Sequence, residues 1–110
     1  MTKDKDILEV VEVARDTGKI RRGVNEVTKS IERGEAKLVI AADDVDPPEI
    51  VMHLPVLCNE KKIAFVKVPT KSELGRAAGI DVGCSTIAVA KPGEAKKQLD
   101  EVLAAVEKGN

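Results

Sequence analysis

Aromatic side chains are almost missing from this chain: its 110 residues include one Phe, no Trp and no Tyr. That excludes the stacking platforms on which many single-strand nucleic-acid binders lay bases. It also leaves any core to Val, Ile, Leu and Ala. No charge of one sign dominates, since 18 Lys and Arg meet 19 Asp and Glu for a net charge of -1. With a pI of about 5.9 there is no global basic field, so a polyanion must be met by a local patch. The lone histidine, His53, excludes a multi-histidine metal site and is expected to be structural or exposed. The two cysteines, Cys58 and Cys84, lack metal-ligand spacing and read as reduced apolar thiols of a cytoplasmic protein. No apolar run is long enough to span a bilayer, and the N-terminal "MTKDKDILEV" is charged rather than signal-like. Glycines stand singly, with no Walker loop and no dinucleotide fingerprint. There is no internal repeat, low-complexity tract or linker, and the length fits one domain over 1–110.

What is present is a regular alternation of helical and extended patterns. "DILEVVEVARDTG" places Ile7, Val10, Val11 and Ala14 on one helical stripe, and Gly18 is expected as a left-handed stop. "KIRRG" is long enough only for a brief strand or turn. A short helix follows from Asn25 to Arg33, with Val27 and Ile31 inward and Gly34 closing it. "KLVIAA" (37–42) reads as a strand buried on both faces. Asp46, Pro47 and Glu49 form a helix start of capping-box type. The helix they open buries Ile50, Leu54 and Leu57 or Cys58, with a kink expected at Pro55. "IAFVKV" (63–68) is the next strand, and "TKSE" (70–73) caps a helix through Leu74 and Ala77 that Gly79 ends. "STIAVA" (85–90) is a third apolar strand. Leu99, Val102, Leu103 and Val106 then form a last amphipathic stripe. The fold class is α/β, a three-layer α-β-α sandwich with a central four-stranded mixed sheet.

Two stretches carry candidate chemistry. Asp43, Asp44 and Asp46 follow an apolar strand, where α/β enzymes often hold acids for a metal. Asp46, however, already has a capping role, and no phosphate-cradling loop accompanies them. The second stretch is "IRRGVNEVTKSIERG" (20–34), which sets Gly23, Asn25, Glu26 and Lys29 at the mouth of the short helix beside Arg22. A helix entrance offers free N–H groups and the positive end of its dipole, which suits phosphate. Gly23 lacks a Cβ, so a ligand backbone can approach closely. A carboxylate there weakens phosphate binding if charge alone matters. It makes sense as an acceptor for base N–H donors, with the Asn25 amide donating and accepting at a base edge. The plainer alternative is that Asn25 caps the helix, Glu26 favours its dipole and Lys29 is solvated. Local sequence leaves both open.

A wider pattern shifts that balance. "RGVNEVTKSIERGEAKLVIAADD", "PPEIVMHLPVLCNEKKIAFVKV" and "TKSELGRAAGIDVG" occur in the order and spacing of the archaeal large-subunit ribosomal protein of the L-seven-Ae type. The chain resembles that family, whose relatives include the eukaryotic fifteen-and-a-half-kilodalton spliceosomal protein, from Ile7 onward. The resemblance implies recognition of kink-turn RNA, in which tandem sheared G·A pairs follow a bulge and the backbone bends sharply. It implies that Gly23, Asn25, Glu26 and Lys29, with Arg22 as basic neighbour, contact the G·A pairs. It further implies that the loop Ile80, Asp81 and Val82 covers a flipped-out bulge nucleotide, with Asp46, Ile50 and Lys71 lining the pocket. The aliphatic Val82 is similar to the archaeal type and fits broad tolerance of kink-turns. Two features depart from the archaeal pattern: the start almost at the first helix, and the acidic pI.

By the same likeness the partners are ribosomal RNA, guide RNAs of box C/D and H/ACA particles, ribonuclease P RNA and other ribonucleoprotein subunits. No membrane, cofactor, metal or catalytic residue is implied, and the free protein is expected to be a monomer. Two rivals accompany this reading. One is a protein–protein scaffold of the same fold without RNA binding. The other is a metal-dependent phosphoryl-transfer enzyme built on Asp43, Asp44 and Asp46.

Overall fold

In the computed structural model, which describes residues 4–44, 54–80, 83 and 85–109, the expected alternation of elements is present. Helix α1 (Asp4–Thr17) leads into strand β1 (Lys19–Arg22), helix α2 (Val24–Glu32) and strand β2 (Leu38–Ala42). After helix α3 (Leu54–Lys61) come β3 (Ala64–Val68), α4 (Lys71–Ala77) and β4 (Thr86–Lys91). A 3-10 turn (Gly93–Ala95) then runs into α5 (Lys96–Gly109). The sheet order is β1-β4-β2-β3. Only the β2–β3 pair is parallel, while β4 runs antiparallel to both β1 and β2. The sheet is therefore mixed and four-stranded, and the brief segment at 19–22 is one of its two edge strands.

Period-two alternation divides the central strands between two cores. Leu38, Ile40 and Ala42 of β2, with Ile87 and Val89 of β4, pack against Ile7, Val10, Val11 and Ala14 of α1, Leu74 of α4 and Leu99 and Val102 of α5. Val39 and Ala41 of β2, with Ala88 of β4, face Val27 and Ile31 of α2 and Leu54 and Cys58 of α3. Every residue of β2 is buried, as a strand covered on both faces must be. Small side chains at Ala41 and Ala88 let α2 and α3 lie close to the sheet. The helical stripe of α1 is buried as its spacing demands. In the last helix Leu99 and Val102 are buried and Leu103 partly so, while Val106 lies outside the described side chains.

Several local expectations are refined. Gly18 is not left-handed, because the glycines with positive φ are Gly23, Gly34, Gly79 and Gly93. What Gly18 supplies is space: a Cβ there would lie 2.0 Å from the Lys91 carbonyl oxygen. That contact, across the sheet from the end of β4, has no local signature. Gly34 (φ +73) and Gly79 (φ +80) do close their helices in the left-handed region. Lys62 also adopts it, at φ +59, and the amides of Lys62 and Ile63 donate to the carbonyls of Asn59 and Cys58 in a Schellman pattern. Thr70 caps α4 as expected, its Oγ1 accepting the Glu73 amide at 3.2 Å. The start at Asp46, Pro47 and Glu49, together with His53 and Cys84, lies outside the described residues. Cys58 is a free, buried thiol. Among the described residues no helix is long and apolar enough to cross a membrane.

Candidate functional site

The entrance of α2 is set by one glycine. Gly23 is the N-cap, at φ 90 and ψ 153, and no side chain caps the helix. This overturns the alternative in which Asn25 is the cap: the helix begins at Val24 and Asn25 already lies in its first turn. With φ and ψ in a region essentially restricted to glycine, Gly23 turns the chain from β1 straight into α2. Its own amide donates to the Thr86 carbonyl at 3.1 Å and its carbonyl accepts the Val27 amide at 2.9 Å. The amides of Val24, Asn25 and Glu26 have no intrahelical acceptor, as in any first turn. Glu26 is the acidic residue of that turn, which the helix dipole favours.

Amphipathic spacing then does the rest. Val27, Ser30 and Ile31 face the core, while Asn25, Glu26 and Lys29 are exposed. Arg22, the last residue of β1, is exposed beside them. No hydrogen bond or ion pair joins the side chains of Arg22, Asn25, Glu26 or Lys29 to another described residue. A carboxylate among cations would ordinarily be drawn into an ion pair; here the groups stand apart, with their donors and acceptors available.

A row of backbone bonds stitches this entrance to the second half of the expected site. From Gly23 it passes to Thr86 at the start of β4, and Ser85 beside it accepts the Ala42 amide at 2.9 Å. Asp43, next along β2, donates its amide to the Val68 carbonyl at 2.9 Å. Asp44 Oδ1 accepts the Lys71 amide at 2.8 Å. The same ends of β1, β4, β2 and β3 thus gather the α2 entrance, Lys71 and the loop after Gly79 along one edge. Adjacent strands are about 4.8 Å apart, so the ends of β1 and β2, separated by β4, lie roughly 10 Å apart.

Lys71 packs on a glycine that sequence reasoning did not single out. A Cβ on Gly83 would lie 2.8 Å from Lys71 Cγ and 3.2 Å from its Cδ, so the lysine stem lies directly on the Gly83 backbone. Ile80 is half-buried and packs against the α1 side of the core. Asp46, Ile50, Asp81 and Val82 lie outside the described residues. Of the expected residues, then, Arg22, Gly23, Asn25, Glu26 and Lys29 are brought together at one helix entrance, and Lys71 and Ile80 stand at the other side of the edge. The hydrogen bond between Asp44 and the Lys71 amide is a tie that spacing could not reveal.

Two of the three carboxylates of the enzymatic alternative have partners here, while Asp46 lies outside the described residues. Asp44 holds the Lys71 amide, and Asp43 Oδ1 lies 3.7 Å from Lys67 Nζ. Among the described residues no three His, Cys, Asp or Glu side chains are grouped to hold a metal ion. The buried Cys58 thiol is pushed up to about 11 by desolvation, so it is a core group and not a nucleophile.

Comparison with known proteins agrees with the α/β fold. Residues 5–99 match the model of a family described as "Ribosomal protein L7Ae/L30e/S12e/Gadd45 family". The structure is similar to that of "Giardia lamblia 15.5kD RNA binding protein", with a TM-score of 0.91 and 34% sequence identity. The match covers 98% of this chain and 92% of that one.

Proposed function

Since the chain belongs to the ribosomal protein L7Ae/L30e/S12e/Gadd45 family, we propose that it binds RNA, as a single-domain subunit of ribonucleoprotein particles, and that its target is the kink-turn. One observation carries the reading. Arg22, Asn25, Glu26 and Lys29 stand exposed and unengaged by other described residues around an uncapped helix entrance that Gly23 holds open. In a sheared G·A pair the guanine exposes N–H donors that Glu26 accepts. Asn25 reads the opposing base, and Lys29 donates to a guanine oxygen or ring nitrogen. Arg22 and the first-turn amides neutralise the flanking phosphates. Ile80, Asp81 and Val82 cover the extruded bulge nucleotide, with Asp46, Ile50 and Lys71 around it, so aliphatic packing stands in for the missing aromatics. The protein catalyses nothing. It selects the bent RNA conformer by binding it preferentially, which shifts the RNA population toward the bend.

Ribosomal, box C/D, H/ACA and ribonuclease P assignments in archaea form the finer part of the proposal, together with a cytoplasmic location. Sequencing the RNAs that copurify with the native protein sorts them. For the recognition itself, gel-shift titrations compare Glu26→Ala with Lys71→Ala. Loss of the base acceptor weakens kink-turn binding by roughly 1–3 kcal/mol and blurs the preference for G·A pairs. Loss of Lys71 costs less and mainly lowers the salt dependence. Equal losses on a kink-turn and on plain duplex for Glu26→Ala remove it as a reader.

A further inference from the structure

At the opposite end of the sheet from the α2 entrance, a concavity of about 360 Å³ opens between the start of β1, the end of β4 and the approach to β2. Its wall carries Lys19, Arg21, Lys37 and Lys91, with Gly34 and a single carboxylate, Glu35. Such a concentration of cations stands out in a chain whose net charge is -1. Glu35 offsets only Arg21, which it meets at 3.3 Å while also facing Arg33 Nη1 at 3.8 Å, and so leaves the three lysine charges of the wall uncompensated. The three lysines have no anionic partner among the described residues.

Two details argue that folding did not place these charges. Lys19 and Lys91 pair at the end of the antiparallel β1–β4 ladder, where the register slips by one residue before Ile20 meets Val89, and like charges set against each other across strands destabilise a sheet. Arg21, with 30% of its side chain exposed, is held by Glu35 in a fixed position, which leaves the rest of its planar fork ready for an oxyanion. A bound anion would remove the repulsion and use the fork. Among the described residues the only apolar side chain in the wall is Ala90, so a protein segment would find no hydrophobic anchor there.

We infer that this concavity is a second anion site and that its ligand is the phosphodiester backbone of RNA. The inference rests on the RNA-binding reading above and adds a contact that α2 does not make. The nine residues of α2 separate the two ends, a span of about 13 Å at 1.5 Å per residue. That is roughly four steps of B-form duplex at 3.4 Å each, and about five of the more compressed A-form RNA helix. A stem continuing more than about five base pairs beyond the G·A pairs along this face brings a phosphate to Lys19, Lys37 and Lys91.

The test titrates the full chain against two kink-turn RNAs sharing one internal loop, with both stems cut to about three base pairs or extended to about ten. Affinity is measured across a salt series. The wild-type protein binds the long-stem RNA with a salt slope steeper by about 2 than that of the Lys37→Gln/Lys91→Gln double variant, one unit for each lost lysine. On the short-stem RNA the two proteins coincide, and Lys37→Arg/Lys91→Arg restores the wild-type slope. Both lysines are exposed and the exchange relieves the Lys19–Lys91 repulsion, so the double variant keeps the wild-type thermal midpoint or exceeds it. Failure of the α2 reading is seen separately, as Glu26→Ala with unchanged G·A preference. Identical slopes for wild type and double variant on the long-stem RNA overturn the site. A polyglutamate peptide that binds the wild type and not the double variant, while the RNA slopes stay equal, overturns it in favour of an acidic protein partner.

Discussion

Replacing Gly23 with Ala tests the backbone geometry on which the proposed recognition site depends. The residue sits at φ 90 and ψ 153, where an L-side chain is strained by about 1–3 kcal/mol. No steric term adds to this, because a Cβ at Gly23 meets no heavy atom within 4 Å. Alanine also stiffens the unfolded chain, which returns about 0.4–1 kcal/mol. The net loss expected is therefore about 1–2 kcal/mol. At a urea m-value of about 1.5 kcal/mol/M the unfolding midpoint falls by roughly 1 M. Gly34→Ala is the matched control: its φ is +73 and its Cβ position is equally open, but it lies at the far end of α2. It should lose similar stability and leave recognition of G·A pairs intact. Gly23→Ala should lose both, since relaxing its φ tilts the first-turn amides and the Asn25 and Glu26 side chains away from the edge. If Gly23→Ala unfolds at the wild-type urea midpoint, the strained turn at the helix entrance does not exist in solution. If it is destabilised yet binds kink-turn RNA unchanged, the entrance is not the reading site.

Three further outcomes follow from single features. Lys62→Gly relieves a lysine held at φ +59, a conformation costing about 1–2 kcal/mol for an L-residue; after the extra entropy of glycine, urea unfolding should show a gain of roughly 0.5–1 kcal/mol. Gly83→Ala drives a Cβ to within 2.8 Å of Lys71 Cγ, so it should displace the lysine stem and weaken kink-turn binding about as much as Lys71→Ala does, read by gel shift. Cys58 has its pKa raised from 9.0 to about 11 by burial. Its contribution to stability is thus full below pH 9 and lost as pH rises through 11, about 3 kcal/mol in all. Urea midpoints from pH 8 to 11 should fall in the wild type and fall less in Cys58→Ala.

Much of the fold was legible because its signals are local. The stripe of α1, the doubly buried run of β2 and the Thr70 cap depend on residues within a turn or two of one another, and each is where the pattern set it. The candidate RNA-reading residues on α2 were legible for the same reason: Arg22 to Lys29 occupy one short helix and its approach. Gly18 marks the limit of that logic. A glycine after a helix reads as a left-handed stop, yet its need arises from the Lys91 carbonyl pressed against it from the far end of the chain. Asn25 was likewise an apparent cap until the sheet edge fixed Gly23 as the turning residue. Gly83 looked like ordinary loop composition because the Lys71 stem that forbids a side chain there belongs to another element.

By itself the sequence determined the period of each element and which side chains its exposed faces carry, since these follow from bond geometry over a few residues. Only the tertiary structure decided what those faces meet. The order β1-β4-β2-β3 places the last strand beside the first, which brings Lys19 opposite Lys91 and sets Lys37 near both. Charges scattered along the chain become one field through strand pairing alone, because hydrogen-bond register, and not sequence spacing, sets the distance between them.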